Sequence, residues 1–320
     1  MKKQSELTDF YYKTLYPVLQ ELEADREKLK NKILKIGFIY TIVAIFTTGF
    51  ILKNGFSSDL LAFSAFAFVG GGVLLYKFLI KDYTQEFKQK VIAPLISELD
   101  KNLLYFAEMH IPSEFFTRSK LFTSQVDRVG GNDYVSGKID NIDIRFSDFH
   151  AEKKHKDSKG RTTWSTIFQG LFIVSEFNKN FHGSTVILPD TAQNAFGNLI
   201  GGWLQSNNTM RDDLVKMDNV EFEKEFVVYA TDQIEARYIL SHSLMKKLLD
   251  FKKRSKQNIY VSFTNKNINI AIEYNKDLFE PSIFHSLLKY KIAMEYVQTL
   301  HLAIGIVEEL KLNTKLWSKL

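Results

Sequence analysis

Two uncharged stretches decide the fold of this chain: IGFIYTIVAIFTTGFIL at residues 36–52 and LLAFSAFAFVGGGVLLY at residues 60–76. Neighbouring apolar residues extend these stretches to 33–52 and 60–80. Each segment then has the roughly 20 residues that an α-helix needs to cross about 30 Å of hydrocarbon. The residues between them, KNGFSSD at 53–59, are typical of a short polar turn. The sequence therefore predicts a transmembrane hairpin of two helices.

The alternative is a buried helical hairpin in a soluble domain, but core helices rarely run so far without a charge on any face. Basic residues cluster outside both ends of the hairpin, at Arg26, Lys28, Lys30, Lys32, Lys35, Lys77, Lys81, Lys88 and Lys90. The connecting turn contains only Lys53. Since Lys and Arg concentrate in cytoplasmic segments, we expect a multi-pass protein of the cell inner membrane with both termini cytoplasmic.

The composition is that of a folded protein. Of 320 residues, 45% are apolar and 25% are charged, which is typical of globular domains rather than disordered chains. There is no cysteine, so disulfides, thiolate metal sites and cysteine nucleophiles are excluded. The net charge of +5 is too small to favour nucleic acid as a partner.

Helical periodicity flanks the hairpin on both sides. Residues 6–32 and 82–109 have apolar side chains at helical spacing, and Pro94 is expected to kink the second of these helices. The predicted plan is an N-terminal cytoplasmic helix at 1–32, the transmembrane hairpin at 33–80, a helical stalk and linker at 81–132, and a cytoplasmic domain at 133–320.

The cytoplasmic domain is predicted to be α+β with a mainly antiparallel sheet. Its expected strands are 134–139, 142–149, 164–177, 184–188, 214–217, 221–231, 259–264 and 268–274, with hairpin turns at Asp140-Asn141 and at 265–267. Expected helices are 233–240, with an Asp232–Glu235 capping pattern, 244–253 after a Ser241 cap, and a long C-terminal helix from Pro281 to about Leu310. A strand-rich barrel closed by that helix, as in pleckstrin-like domains, is the alternative.

Several phrases of the sequence resemble one family: DYVSGKI at 133–139, FQGLFIVSEFNKNFHGSTVILPD at 168–190, EFEKEFVVYATDQIEARYIL at 221–240 and LFEPS at 278–282. FYYKTLYPVL at 10–19 and LNTKLWSK at 312–319 extend the similarity over most of the chain. The family is an uncharacterised group of bacterial membrane proteins with a domain of unknown function, often encoded near LemA-type proteins. The resemblance implies two membrane spans and a cytoplasmic domain, and it assigns no catalytic residue.

The sequence predicts no catalytic residue, metal site or cofactor. The glycines at 131 and 137 superficially resemble a phosphate-binding loop, but the spacing is too long and Ile139 replaces the required Ser or Thr. His150 and His155 lie in what we interpret as a flexible charged loop, without enough ligands for a metal. In DQIEAR, at 232–237, Asp232 is better explained as a helix N-cap, and Glu235 with Arg237 as solvated or paired helix residues, than as a catalytic set.

Two basic runs remain as candidates for binding anionic lipid. They are KKHKDSKGR at 153–161 and KKLLDFKKRSK at 246–256, with the basic side chains Lys153, Lys154, Lys156, Lys159, Arg161, Lys246, Lys247, Lys252, Lys253, Arg254 and Lys256. Such residues contribute about 1 kcal/mol each when held near an anionic leaflet. The alternative is that both runs are solvated surface. Nucleic acid is disfavoured because aromatic residues are not interleaved for stacking.

Two functional hypotheses follow. In the first, the chain is a non-enzymatic, membrane-anchored interaction or scaffold module that binds the lipid bilayer and an envelope protein, such as a LemA-type protein, or the anionic inner leaflet. In the second, it is a membrane-tethered enzyme, a hydrolase of unknown substrate. Buried carboxylates or histidines clustered in a deep pocket would favour the enzyme, whereas an exposed sheet edge would favour the binding module.

Overall fold

The computed structural model describes residues 9–139, 142–176, 181–190, 212–274 and 277–288. The described chain divides into two compact units. The helical unit contains the residues up to Leu95 together with those from Phe279, and the sheet unit contains those from Ile96 to Leu278. The predicted α+β class, with two long N-terminal helices and a large antiparallel sheet, is confirmed.

The helical unit consists mainly of two long helices, α1 (Tyr16–Lys53) and α2 (Ser58–Phe87). A π-helical turn, Tyr11–Leu15, precedes α1, and another, Lys88–Ile92, joins α2 to α3 (Ala93–Leu99). Pro94 lacks an amide hydrogen and its ring crowds the carbonyl one turn earlier, so the wider turn before it relieves a break in the helical pattern. The Ser57 side chain caps α2 by accepting a hydrogen bond from the Leu60 amide.

Burial changes sharply along these helices. Near the ends that the basic residues flank, apolar side chains form a core: Tyr11, Leu15, Leu19, Leu22, Tyr83, Phe87, Val91, Ile92, Leu95, Phe279, Ile283 and Leu287. In the predicted spans, 33–52 and 60–80, large apolar side chains are exposed instead, including Phe38, Ile45, Phe46, Phe63, Phe66, Val69, Leu74 and Phe78. Both helices are long and apolar enough to cross a membrane.

Within the uncharged stretches the two helices meet at a glycine. The Tyr40 hydroxyl donates a hydrogen bond of 2.9 Å to the Phe68 carbonyl. A Cβ atom on Gly71 would lie only 2.7 Å from the Tyr40 oxygen, so a larger residue would displace the phenol. The two helices therefore approach closely at Gly71, as small residues allow in helix pairs of this kind.

Arg26 anchors the segment after Phe279 to α1. Its side chain is 3% exposed, donates to the Ile283 carbonyl at 2.6 Å, and binds both carboxylate oxygens of Glu23 at 2.9 and 2.8 Å. The Leu287 amide donates to the same carboxylate at 2.9 Å. Burial alone would raise the pKa of Glu23, but the hydrogen bonds from Arg26 and Leu287 outweigh it and lower that pKa. We call Glu23, Arg26, Ile283 and Leu287 the clasp.

The sheet unit is built on one sheet of nine strands in the described part of the chain. Its strands are β1 (Leu103–Phe106), β2 (Arg128–Ile139), β3 (Ile142–Lys156), β4 (Thr162–Glu176), β5 (Ser184–Pro189), β6 (Asp213–Val215), β7 (Phe226–Ala230), β8 (Ile259–Thr264) and β9 (Asn267–Glu273). Their spatial order is β1-β2-β3-β4-β9-β8-β5-β7-β6, and every neighbouring pair is antiparallel. The sheet is open, so the alternative of a closed barrel is wrong for the described strands.

Four short helices accompany the sheet: α4 (Ser113–Arg118), α5 (Val220–Glu223), α6 (Gln233–Ile239) and α7 (His242–Ser255). The middle strands β5 and β8 are buried on both faces, because elements cover the sheet from both sides. On one face, the Ser262 hydroxyl of β8 donates to the Ser119 carbonyl beyond α4 at 2.5 Å. On the other, Lys252 of α7 lies 5.0 Å from the ring centre of Phe226 in β7.

Phe116 of α4 is central to the core on the first face. Its ring stacks on Phe149 at 4.8 Å and on Phe122 at 5.1 Å, and it meets Phe172 edge-on at 5.3 Å. The surrounding buried residues are Ile111, Leu121, Ala151, Phe168, Val174, Val186, Leu188, Tyr260 and Ala271. Residues before β2 thus contribute directly to the core of the sheet unit.

The secondary structure departs from the sequence-based expectation at three places. The helix expected over 82–109 ends at Leu99, because Asp100 accepts hydrogen bonds from the Asn102 and Leu103 amides and forms a turn into β1. The strand expected over 221–231 begins as helix α5, whose first turn the Asn219 side chain caps. The expected start of the C-terminal helix at Pro281 is wrong, because residues 281–288 form bends and a short turn; the rest of that expected helix lies outside the described residues.

Candidate functional site

The first basic run, 153–161, lies at the end of a long β-hairpin. The loop expected around His150 and His155 is wrong, because β3 continues to Lys156 and pairs with β4 through Lys154↔Trp164 and Lys156↔Thr162. Every residue from 154 to 166 is exposed. We call residues 153–166 the basic hairpin; it presents its side chains to solvent on both faces.

A single carboxylate organises the turn of the basic hairpin. Asp157 accepts hydrogen bonds from the backbone amides of Lys159 and Arg161 at 2.9 and 2.8 Å, and from the Arg161 guanidinium at 2.8 Å. The backbone and side-chain hydrogen bonds from Arg161 lower the pKa of Asp157. The only acidic residue between 153 and 161 is therefore engaged in holding the turn.

Trp164 lies among cationic side chains on one face of this hairpin. The Arg128 guanidinium is 4.2 Å from the centre of its ring, and the Lys154 ammonium is 5.9 Å away. Arg128 also pairs with Glu152 at 2.6 Å. The indole therefore remains partly exposed while its face is covered by positive charge. The sequence did not single out Arg128, which comes from β2, or Trp164; both become visible only through the strand register.

The second basic run, 246–256, lies almost entirely in α7, and two of its cations pair with glutamates of the sheet unit. Lys252 lies 2.8 Å from Glu225, and Lys253 lies 2.6 Å from Glu221. The Ser241 side chain caps the helix as predicted, and Lys256 ends it in a left-handed conformation. The structure thus places the two runs on different elements and gives the second run local acidic partners.

The acidic residues of DQIEAR have structural roles. Asp232 accepts hydrogen bonds from the amides of Ile234 and Glu235, as predicted for a helix cap. Glu235 does not complete the expected reciprocal cap; its carboxylate instead accepts the amides of His182 and Gly183, both at 3.0 Å. These contacts fix the chain entering β5.

Two buried carboxylates lie near the β2–β3 pairing. Asp133, at a bulge with a φ of 59°, accepts a hydrogen bond from the Tyr105 hydroxyl. Asp148 accepts the Leu278 amide at 2.8 Å, and burial together with the Asp148 charge raises the pKa of Tyr274 to about 12. Among the described residues, no three His, Asp or Glu side chains are grouped as metal ligands. Both carboxylates hold backbone or tyrosine groups in place.

Ser184 has the polar surroundings closest to a nucleophile site. Its hydroxyl donates to the Asp212 carboxylate and accepts a hydrogen bond of 3.3 Å from the Lys120 ammonium. A serine–lysine hydrolase requires a neutral lysine that can accept the hydroxyl proton. Here the hydroxyl proton points to Asp212, and the ammonium donates, so the serine bridges two opposite charges. Ser184 is also buried.

Strand β1 ends the sheet on one side in the described part of the chain. It pairs with β2 through Leu104↔Ser136 and Phe106↔Tyr134. The Leu104 and Phe106 side chains are 60% and 40% exposed. An edge strand with exposed apolar side chains is a surface on which another polypeptide can pair.

Comparisons with known proteins place a domain of unknown function in this chain. The family described as "Protein of unknown function (DUF3137)" matches residues 166–312, which begin within β4. The predicted resemblance to a domain of unknown function is confirmed to that extent; bacterial origin and LemA-type neighbours stay predictions. No curated protein matches the chain.

One solved structure is similar in part. It is the crystal structure of the mycobacterial trehalose monomycolate transport factor A, with 9% sequence identity over 67% of this chain and 92% of the other, and a TM-score of 0.35. Similarity at this level does not establish a shared fold.

Proposed function

We propose that the chain is a non-enzymatic interaction or scaffold module, anchored in the cell inner membrane by α1 and α2 with both termini cytoplasmic. Its sheet unit binds a protein partner, such as a LemA-type membrane protein, or the inner leaflet. No cofactor is needed for this role.

The exposed apolar side chains of the two predicted spans, 33–52 and 60–80, carry the proposal. Phe46, Phe66 and Phe78 are 75%, 79% and 76% exposed, and the same helices bury their apolar side chains near the basic flanks. In water, burying one such ring would gain about 1.5–3 kcal/mol, so a continuous exposed band of them marks a contact with lipid or protein. The absence of charge over each stretch favours lipid.

The arrangement of polar groups in the sheet unit favours binding over catalysis. Glu235, Asp133 and Asp148 all accept hydrogen bonds that fix the fold. In the described part of the chain, β1 is the edge strand of the sheet, and an available edge of this kind favours the first hypothesis. The partner proposed for this edge is a LemA-type protein, on the resemblance given above.

The test uses the tagged full chain. Alkaline carbonate should leave it in the membrane pellet, and detergent should release it. A co-expressed LemA-type protein should purify with the wild type, less with Leu104→Lys on β1, and normally with Val220→Lys, a control at a side chain that is 67% exposed. Release of the chain by carbonate would contradict the anchor. Equal binding of the LemA-type protein by the wild type and by Leu104→Lys would contradict the β1 contact.

A membrane-tethered hydrolase is the second candidate, favoured only by the Lys120–Ser184–Asp212 arrangement. A fluorophosphonate reacts with serines whose hydroxyl is activated. Labelling of the detergent-solubilised wild type that disappears in Ser184→Ala and in Lys120→Gln would support the hydrolase. If the chain is a binding module, we expect no labelling of the wild type or of either variant.

A further inference from the structure

We propose that the basic hairpin is a docking surface for an anionic phospholipid bilayer. Lys154, Lys156 and Lys159 contact headgroup phosphates, and Trp164 lies at the interface. The inference rests on the proposed function, because a membrane anchor is what keeps the hairpin near lipid. It assigns the contact to the hairpin alone and not to α7.

The shape of the hairpin is the first argument. Residues 154–166 are exposed, so no apolar core holds this part of β3 and β4. Isolated two-stranded hairpins are marginally stable in water. This one is an extension of a nine-stranded sheet and is closed by the hydrogen bonds of Asp157. It therefore presents its charges from a defined backbone rather than from a loop.

Charge is the second argument. Between 153 and 161 there are five basic residues and one acidic residue, Asp157, which pairs with Arg161. The four lysines of this run form no ion pair with any described residue. In α7, by contrast, Lys252 and Lys253 already pair with glutamates. The excess positive charge that attracts an anionic leaflet is therefore partly neutralised in α7, whereas the lysines of the hairpin retain theirs.

The environment of Trp164 favours lipid over nucleic acid. Single-stranded nucleic acid binds by stacking bases on exposed aromatic faces. Here the Arg128 guanidinium lies 4.2 Å from the ring centre and covers the face. An indole with a partly exposed edge and adjacent cations matches the interfacial position of tryptophan in membrane proteins.

The connection to the predicted anchor is short. Only residues 81–95 separate the second uncharged segment from the start of the sheet unit at Ile96. A tethered surface needs little intrinsic affinity, since its effective concentration at the bilayer is high. A few lysines and one tryptophan are then sufficient for a reversible contact.

The chain has no cysteine, so Ser158→Cys in the hairpin turn gives one site for a fluorophore. The full chain is placed in nanodiscs of phosphatidylcholine, with or without phosphatidylglycerol, and quenching by lipids with spin-labelled headgroups is measured. We expect quenching only with phosphatidylglycerol, and its loss in high salt as charges are screened. Lys154→Gln with Lys156→Gln should reduce the ratio of docked to undocked hairpin about 25-fold, from roughly fivefold per side chain.

The matched control is Lys246→Gln with Lys247→Gln on α7, which removes the same charge and should leave quenching unchanged. Equal quenching in neutral and anionic discs, or equal loss in both double variants, would overturn the inference while leaving the anchor intact. A response to single-stranded RNA in neutral discs, without one to phosphatidylglycerol, would also overturn it. Failure of the chain to enter nanodiscs would contradict the proposed function itself, and the inference with it.

Discussion

The Glu235 carboxylate holds together parts of the chain that are far apart in sequence. It accepts the amides of His182 and Gly183, while the Thr231 hydroxyl accepts the Ser184 amide at 2.8 Å. Backbone groups at the start of β5 therefore depend on side chains around α6 for their hydrogen bonds. The sequence pattern Asp-x-x-Glu indicated the helix start correctly, but it could not reveal an acceptor for amides 52 and 53 residues away.

Replacing Glu235 by Ala should lower the free energy of unfolding by about 1–3 kcal/mol, because two amides lose a charged acceptor. Thermal unfolding of the detergent-solubilised full chain measures this. Glu221→Ala is the control, because it removes an exposed ion pair with Lys253 that should contribute little to stability. Equal stability of the Glu235→Ala protein and the wild type would contradict the structural role.

At the scale of elements, hairpins were predictable and their assembly was not. β2 and β3 pair with Ile139 opposite Ile142, and β8 and β9 meet around Asn265, as the local alternation and turn residues indicated. The position of β5 between β8 and β7 depends on contacts between distant residues. Strand β1 was not predicted, because Leu103 and Phe106 continue the helical spacing of the apolar residues in 82–99. The Asp100 turn that separates β1 from that helix does not interrupt this spacing.

The candidate site was predictable only in part. The lysines of 153–161 stand out in the sequence, whereas Arg128 joins them only through the pairing of Arg128 with Glu152 across β2 and β3. The run in α7 looked equivalent in composition. It differs from the first run because Glu221 and Glu225 pair with two of its lysines. No local sequence pattern predicts that these glutamates lie beside the helix.

The clasp predicts a response to mutation. Arg26→Gln leaves the Glu23 carboxylate without its buried partner, which should lower stability by about 1–3 kcal/mol. Lys28→Gln on the same helix is the control, since its ion pair with Asp25 is exposed and should matter little. Thermal unfolding in detergent measures both, and similar effects of the two substitutions would contradict the clasp.

The clasp also predicts a dependence on pH. The folded-state pKa of Glu23 is lowered, so its contribution to stability is fully present above the unfolded-state value and is lost as pH falls through the folded-state value. Acidification should therefore lower the melting temperature more in the wild type than in Glu23→Gln. An identical decrease in both proteins would indicate that Glu23 titrates normally.

At the scale of the whole molecule, the sheet unit begins at Ile96, whereas the sequence plan started the domain at 133. A fragment of residues 96–320 should unfold cooperatively. A fragment of 133–320 should not, because it lacks β1, part of β2 and the buried Phe116, whose loss alone removes about 3–5 kcal/mol. Circular dichroism melts of the two fragments test this, and a cooperative melt of the shorter one would contradict it.

At the same scale, the protein is proposed to be held by a membrane anchor with its sheet unit in the cytoplasm. Because the chain has no cysteine, single cysteines report topology without background. Ser58→Cys lies beside the turn between α1 and α2, and Ser158→Cys lies in the basic hairpin; both positions are exposed. In intact cells with a permeable outer layer, a membrane-impermeant maleimide should label Ser58→Cys directly and Ser158→Cys only after the inner membrane is opened. Labelling of Ser158→Cys in intact cells, or of neither position until the membrane is opened, would contradict the account.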